Sequence, residues 1–358
     1  MEPEVSQKRN LSFDLLKIIL MLMVVVLHAN TRGAFSYTEA PVDHYLTKLS
    51  EFFCIVAVNV FVMITGFFQS QKRFRISKLL ILESEVLFYS VVIYIVFCCI
   101  GKAEFWADPF RRAYMPVMSK AYWFVTAYVL LYCLSPFLNM VIGAISRKQH
   151  KALLITIMAV SFVWNDLLHF NKEMMFYDGY SHIWFIVLYL TAAYIRKYGA
   201  EIKHPLLGYL LGSIFLFIYD IFLGKVFEDY LEILNSNITM SYCSIIVYFT
   251  SVCLFSFFSG IRITRGKRII ETVSPLTFAV YLIHENNYVK QVVWPLFGLD
   301  IKSNLLLKQT FAVFTIFTVC IVIEYVRARI FSLIIRKDVW KKADDTFDRF
   351  MIKLKNEI

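Results

Sequence analysis

Long apolar segments alternate with short polar connections along almost the whole chain. Each segment has roughly 20 residues, the length that an α-helix needs to cross the hydrocarbon core of a bilayer. We predict spans near residues 11–30, 52–70, 79–100, 122–142, 152–168, 183–198, 206–223, 240–260, 273–294 and 305–326. A soluble domain of 358 residues would not carry so many separate apolar runs. The pattern predicts an all-α polytopic integral membrane protein with about ten transmembrane helices.

The end of the chain follows a different pattern, because charged and apolar residues are mixed there. Residues 336–358 are too few to bury a core of their own, so we expect a short amphipathic helix in the cytoplasm. Residues 1–335 are expected to form a single transmembrane domain.

The distribution of basic residues predicts how the chain is oriented. Of the 37 lysines and arginines, 25 lie in the two termini and in alternate connections, whereas nine lie in the opposite connections. Such an excess marks the cytoplasmic side, so both termini are expected to be cytoplasmic. The net charge of +10 is therefore a topology signal, and nucleic acid is not an expected partner. The same charge can attract anionic lipid headgroups or an anionic cytoplasmic ligand.

The seven cysteines give no indication of a metal site. All of them fall inside predicted spans, scattered and without CxxC spacing. Scattered cysteines of this kind act as small apolar packing residues, so we expect neither a disulfide framework nor a metal.

Lys17 and His28 lie in the first apolar span, eleven positions apart. Eleven positions are about three helical turns, which places both side chains on one stripe of the helix, roughly 16 Å apart. Such groups are costly in lipid, so we expect them to face a cavity, with Asp14 able to pair with Lys17. The alternatives are a lysine that reaches the membrane interface and a histidine satisfied by its neighbours.

A basic segment, QKRFRISK at 71–78, follows the second span on the expected cytoplasmic side. Arg73, Arg75 and Lys78 could bind phosphate groups, or they could serve only to set the topology. Glu83 and Glu85 follow in the third span, where they could neutralise the basic segment or line a cavity.

Polar and aromatic residues gather at the predicted outer ends of the spans, among them Trp123, Asn30 and Asp166. An interfacial aromatic belt explains the aromatic residues, but the combination also suits a carbohydrate site. In the ninth span, His284, Glu285 and Asn286 are consecutive, and lipid could not satisfy them. They indicate either a helix break or part of the cavity that holds His28.

Four motifs occur in order along the chain: the Lys17 and His28 spacing, FVMITGFF at 61–68 before the basic segment, YWF at 122–124 and YLIH at 281–284. Together they resemble the acyltransferase 3 family of bacterial membrane-bound O-acetyltransferases. The resemblance covers nearly the whole chain. It departs from the family at Lys17, where arginine is commoner, and at Lys78, where many members have a second arginine.

The resemblance implies transfer of an acyl group, usually acetyl, from cytoplasmic acetyl-CoA to a sugar hydroxyl. The acceptor would be a cell-surface glycan or its lipid-linked precursor, and the protein would lie in the bacterial inner membrane. Arg73, Arg75 and Lys78 would bind the CoA phosphates, while Lys17 would meet the thioester arm.

His28 would be the general base or an acyl-carrying relay. Trp123, Asn30, His284, Glu285, Asn286 and Asp166 would contact the acceptor. A flippase of lipid-linked sugars that uses the same polar cavity without chemistry is the alternative.

Overall fold

The computed structural model describes residues 9–34, 41–167, 176–226, 240–299, 305–334 and 337–357. Within these ranges all regular structure is helical. The helices are, in chain order, α1 (Leu11–Ala29), α2 (Pro41–Cys54), α3 (Ala57–Gln69), α4 (Ile76–Cys99), α5 (Ala107–Tyr114), α6 (Trp123–Ala144), α7 (Arg147–Ser161), α8 (His182–Tyr198), α9 (Pro205–Val226), α10 (Ile245–Gly260), α11 (Lys267–Val273), α12 (Thr277–His284), α13 (Val289–Val293), α14 (Leu305–Ile334) and α15 (Lys337–Glu357).

Six helical segments of the described chain are long and apolar enough to cross a membrane. They are Leu11–Arg32, Tyr45–Gln69, Ile76–Cys99, Trp123–Ala144, Pro205–Phe222 and Leu305–Ile334. These segments agree with the predicted all-α membrane fold. The helices at the other predicted spans are shorter or interrupted, so the count of ten transmembrane helices stays a prediction. The cytoplasmic position of both termini also stays a prediction.

The predicted ninth span, 273–294, is not one helix. A 3-10 turn at Ser274–Leu276 precedes α12, and α12 ends at His284. The Asn286 side chain then accepts a hydrogen bond from the backbone N–H of Tyr288 at 3.0 Å. A side chain that bonds the backbone in this way competes with the helical hydrogen bond. The polar residues therefore interrupt the helix next to the cavity described below.

Close helix packing depends on three glycines. A Cβ at Gly66 of α3 would lie 2.6 Å from the backbone oxygen of Tyr189 on α8. A Cβ at Gly208 or Gly212 of α9 would lie 2.6 Å from Cys253 Sγ or 2.3 Å from Thr250 Oγ1 of α10. Small residues one turn apart let membrane helices approach closely, which is how α9 packs on α10.

A buried asparagine joins three helices. Asn59 of α3 is fully buried, and its amide nitrogen donates to the backbone oxygen of Tyr242 at 2.8 Å and to Ser251 Oγ at 3.2 Å. Its amide oxygen accepts from Trp184 Nε1 at 3.0 Å. Because every polar atom of the side chain has a partner, this asparagine can lie mid-span without a polar cost.

Arg327 joins α14 to α4 through buried charges. Its guanidinium donates two hydrogen bonds of 2.6 Å to Glu324, whose carboxylate also accepts from the Tyr89 hydroxyl at 2.7 Å. Glu85 lies 3.9 Å away from the guanidinium. A bidentate pair with further hydrogen bonds is the arrangement in which buried charges are tolerated.

An exposed ion pair connects the start of α7 to the α8–α9 connection. Arg147 and Lys151 lie 2.5 Å and 3.2 Å from the carboxylate of Glu201. The hydrogen bond from Arg147 has the largest effect on the pKa of Glu201, and that from Lys151 adds to it. Together they hold this pKa below its usual value of 4.5.

Candidate active site

A cavity of about 890 Å³ lies alongside α1. Its walls come mainly from α1, α3, α4, α6 and α12. Lys17, Lys78 and Tyr132 lie at one end, which we call the basic end. The carboxylates of Glu51, Asp178 and Glu285 lie at the other end, which we call the acidic end. Glu85 of α4 and Arg32 also line the cavity, so neither end carries charge of one sign only.

Lys17 and His28 both line this cavity. They occupy the first and last parts of α1, with Met21 and Val24 between them on the same wall. The helical spacing read from the sequence thus brings an ammonium and an imidazole into one shared space.

His28 is paired with a second histidine. Nδ1 of His28 lies 2.8 Å from Nε2 of His284 at the end of α12. Nδ1 of His284 lies 2.5 Å from the backbone oxygen of Val280. A carbonyl oxygen can only accept, so the His284 proton is on Nδ1. In the neutral ring Nε2 is then an acceptor, and His28 donates to it from Nδ1.

This chain of hydrogen bonds fixes the tautomer of His28. Nδ1 carries the proton, which leaves the lone pair on Nε2. Since His28 lines the cavity and no described residue bonds Nε2, this nitrogen is free to accept a proton there.

A carboxylate completes the group. Glu285 Oε2 lies 3.5 Å from His28 Nδ1, and the same carboxylate forms an ion pair with Arg32 and lies 3.4 Å from Lys290. The two cations keep the carboxylate in place, and its charge favours a positively charged His28.

The three side chains also have the spacing of metal ligands. His28, His284 and Glu285 offer one ligand atom each, all within 4.8 Å of one another. In this structure, His28 contacts both His284 and Glu285, and Glu285 also accepts a hydrogen bond from Arg32. The absence of a metal remains a prediction.

The basic end is organised around Asp14. Its carboxylate lies 3.4 Å from the Lys17 ammonium, accepts from Arg9 Nε at 2.5 Å and accepts from Ser274 Oγ at 2.9 Å. The pairing of Asp14 with Lys17 that the spacing suggested is present. The hydrogen bond from Ser274 to Asp14 holds the start of α1 against the 3-10 turn before α12.

The basic segment after α3 reaches the cavity through one of its three predicted residues. Lys78 lines the basic end and donates to Gln69 at 3.2 Å. The backbone N–H and C=O of Arg75 both bond the Tyr132 hydroxyl, at 3.1 and 3.0 Å. Arg73 pairs with Asp348 of α15. Arg73 and Arg75 therefore lie in the adjoining segment and are not among the residues that line the cavity.

The helix α15 packs on this basic segment and on the start of α4. Asp344 accepts from the backbone N–H of Ser77 at 2.9 Å and from its hydroxyl at 2.7 Å, which caps the start of α4. Phe347 packs on Phe74, with ring centroids 5.5 Å apart.

The residues predicted to contact an acceptor divide into two groups. Trp123 and Glu285 line the cavity, and His284 supports His28. Asn30 is fully buried and bonds Thr47, Ser50 and Gln309; Asn286 donates to the Tyr122 hydroxyl; Asp166 accepts from the backbone N–H of Ile245. The polar side chains of these last three residues, which the sequence offered as acceptor contacts, form hydrogen bonds to neighbouring parts of the protein.

Several cavity residues were not identified from the sequence. They include Glu51, Tyr128, Tyr132, Asp178, Tyr180 and Tyr242. Glu85, which the sequence offered as a possible cavity residue, does line the cavity, as do Phe124 and Tyr281 of the quoted motifs. The aromatic residues of α6 carried a signal, because Phe124, Tyr128 and Tyr132 recur every four residues and so share one face. Glu51 and Asp178 carried none, since an isolated carboxylate near a span end resembles any surface charge.

The comparisons with known proteins agree with this architecture. A family model described as an acyltransferase domain, of the acyltransferase 3 type, matches residues 10–325. No curated protein and no solved structure matches the chain. The match spans the helices that build the cavity and ends before α15, so the chain belongs to the acyltransferase 3 family and is a membrane acyltransferase.

Proposed function

We propose that this protein transfers an acyl group, most simply acetyl, from cytoplasmic acyl-CoA to a sugar hydroxyl. The acceptor would be a cell-surface glycan or its lipid-linked precursor, handled at the inner membrane of a bacterium. The observation that carries the proposal is the cavity shared by Lys17 and His28, with two lysines at one end and the histidine pair at the other.

The basic end suits the donor. Coenzyme A carries several phosphates, and Lys17 and Lys78 line this end, with Arg73 and Arg75 in the adjoining segment. Cationic side chains of this kind bind phosphate through charge-assisted hydrogen bonds. The aromatic face of α6 between the two ends would contact the uncharged arm that carries the thioester.

The histidine pair suits the chemistry. Nε2 of His28 would accept the proton of the acceptor hydroxyl as its oxygen attacks the thioester carbon. The new C–O bond forms, the C–S bond breaks, and the proton passes from His28 to the departing CoA sulfur. Glu285 and His284 stabilise the intervening imidazolium, since one offers a negative charge and the other accepts from Nδ1–H.

The direct test uses the protein purified into lipid nanodiscs with acetyl-CoA and an oligosaccharide acceptor. Release of CoA and formation of a sugar ester are followed together, by thiol assay and by mass spectrometry. The His28→Ala variant should lose both products. The control is His150→Ala, which removes another buried histidine, bonded to the Leu190 oxygen and outside the cavity.

Two outcomes would contradict the proposal. Full activity of His28→Ala would remove the assigned base, and movement of a lipid-linked sugar with intact acetyl-CoA would favour the flippase. Lys17 gives an independent check: Lys17→Arg should retain activity because it keeps the charge, whereas Lys17→Met should raise the KM for acetyl-CoA.

A further inference from the structure

The acidic end of the cavity contains a carboxylate that the proposed chemistry does not use. Glu51, near the end of α2, lines the cavity and is only 7% exposed. None of the described residues forms an ion pair or a side-chain hydrogen bond with it. The nearby Lys48 is engaged with Asp220, at 2.6 Å. Glu51 therefore contributes an acid group to the cavity wall that no described residue pairs with directly.

Aromatic rings surround the space near this carboxylate. Trp123 and Tyr180 have ring centroids 4.5 Å apart, and Tyr180 and Tyr242 have theirs 5.1 Å apart. All three line the cavity. Aromatic faces combined with acceptor oxygens suit a ring that has both C–H faces and hydroxyl groups, which describes a sugar.

A strained turn supplies part of this wall. Tyr177 and Asp178 have positive φ angles of 42° and 51°, and Gly179 follows at 88°. The backbone oxygen of Asp178 accepts from the N–H of Tyr242 at 2.9 Å, which holds the turn against the segment that precedes α10. Non-glycine residues adopt such angles at an energetic cost, and they cluster at functional sites.

The charges at this end restrict what can bind. Arg32, which lines this end, pairs with Glu285, and Lys290 lies 3.4 Å from the same carboxylate. Glu51 has no such partner, because Lys48 is engaged with Asp220. A carboxylate or phosphate group that enters next to Glu51 would approach another acid group in a poorly solvated space, where like charges repel strongly.

We infer that the Glu51, Trp123, Tyr180 and Tyr242 group is the acceptor subsite, and that it selects a sugar ring without carboxylate or phosphate. Neutral and amino sugars fit, since Glu51 can accept hydrogen bonds from hydroxyl or ammonium groups. Glu51 is the specificity-determining residue. This inference rests on the proposed acyltransferase function and deepens it.

The test compares acceptors of equal length that differ in charge. Chitotetraose, its de-N-acetylated form and tetragalacturonate are each supplied with acetyl-CoA to the nanodisc protein, and CoA release and sugar ester are measured. We expect the neutral and amino acceptors to have a kcat/KM at least about tenfold above that of the uronate, because a like-charge contact of this kind costs more than the 1.36 kcal/mol that a tenfold ratio represents.

Substitution of Glu51 should change this ratio. In Glu51→Gln, the ratio of kcat/KM for the neutral acceptor to kcat/KM for the uronate should fall about tenfold, while the KM for acetyl-CoA stays the same. Glu51→Asp keeps the carboxylate, so this ratio should return towards the wild-type value. Glu104→Gln removes an exposed carboxylate after α4 and should leave the ratio unchanged. The Asp variant and the wild-type comparison do not depend on the stability of Glu51→Gln.

Two results would overturn the inference, and they are distinguishable. Equal or better transfer to the uronate in the wild type would refute the acceptor class while leaving acyl transfer intact. Absence of CoA release with all three acceptors would count against the proposed function itself, and this inference would fall with it.

Discussion

Replacing His284 with alanine tests the reasoning about the His28 tautomer. The substitution removes the acceptor that lies 2.8 Å from His28 Nδ1. This hydrogen bond strengthens when His28 takes a proton, so its loss should raise the barrier more than it weakens substrate binding. We therefore expect kcat to fall while the KM for acetyl-CoA changes little.

The magnitude follows from the type of bond. A hydrogen bond to a charged group contributes about 1.5–3 kcal/mol, which corresponds to a loss of about 10- to 150-fold in kcat. His284→Gln should recover part of the loss, because an amide oxygen can accept from Nδ1 while the amide nitrogen donates to the Val280 oxygen.

The assay is steady-state CoA release by nanodisc-reconstituted protein, with thermal unfolding as the measure of folding. His150→Ala is the matched control, since His150 is equally buried and bonds a backbone oxygen at 3.1 Å. If His284→Ala keeps the wild-type kcat in a folded protein, the tautomer assignment and the role of the pair are wrong.

Three further predictions concern the stability of the fold. Gly66→Ala should destabilise the protein by about 1–3 kcal/mol, because its Cβ meets the Tyr189 backbone; Gly143→Ala, which has open space around it, should not lower the unfolding temperature. Arg327→Met should cost about 3–5 kcal/mol by leaving Glu324 buried without its partner, whereas Arg329→Met on the exposed side of α14 should have little effect in the same thermal assay. The Glu201 pair should stabilise the fold above pH 4.5 and lose its contribution as the pH falls through the lowered pKa of the carboxyl group. The difference in unfolding temperature between the wild type and Glu201→Gln should therefore shrink on acidification, and a difference that grows would refute this.

Helical periodicity identified the parts of the site that lie on regular helices. Lys17 and His28 could be placed on one face of α1 because eleven positions are close to three turns. The apolar runs also indicated an all-α membrane fold, which the six long helices support. These signals are local, and they depend only on the geometry of a single helix.

The remaining site depends on contacts between distant segments. His284 is 256 positions from His28, and nothing in the local pattern distinguishes a partner of His28 from a residue that contacts an acceptor. Asn30 and Asn286 look alike in the sequence as polar residues near span ends. Only the packing shows that Gln309 and Tyr122 bond them. The turn that carries Asp178 was likewise invisible, because its shape comes from docking on Tyr242.

The seating of α15 has a consequence for the unliganded protein. Arg73 is paired with Asp348 of α15, while Asp344 caps the first turn of α4 through Ser77. A phosphate group that binds Arg73 must therefore compete with the Asp348 carboxylate. The last helix thus lowers the positive charge that the basic segment offers before a ligand binds.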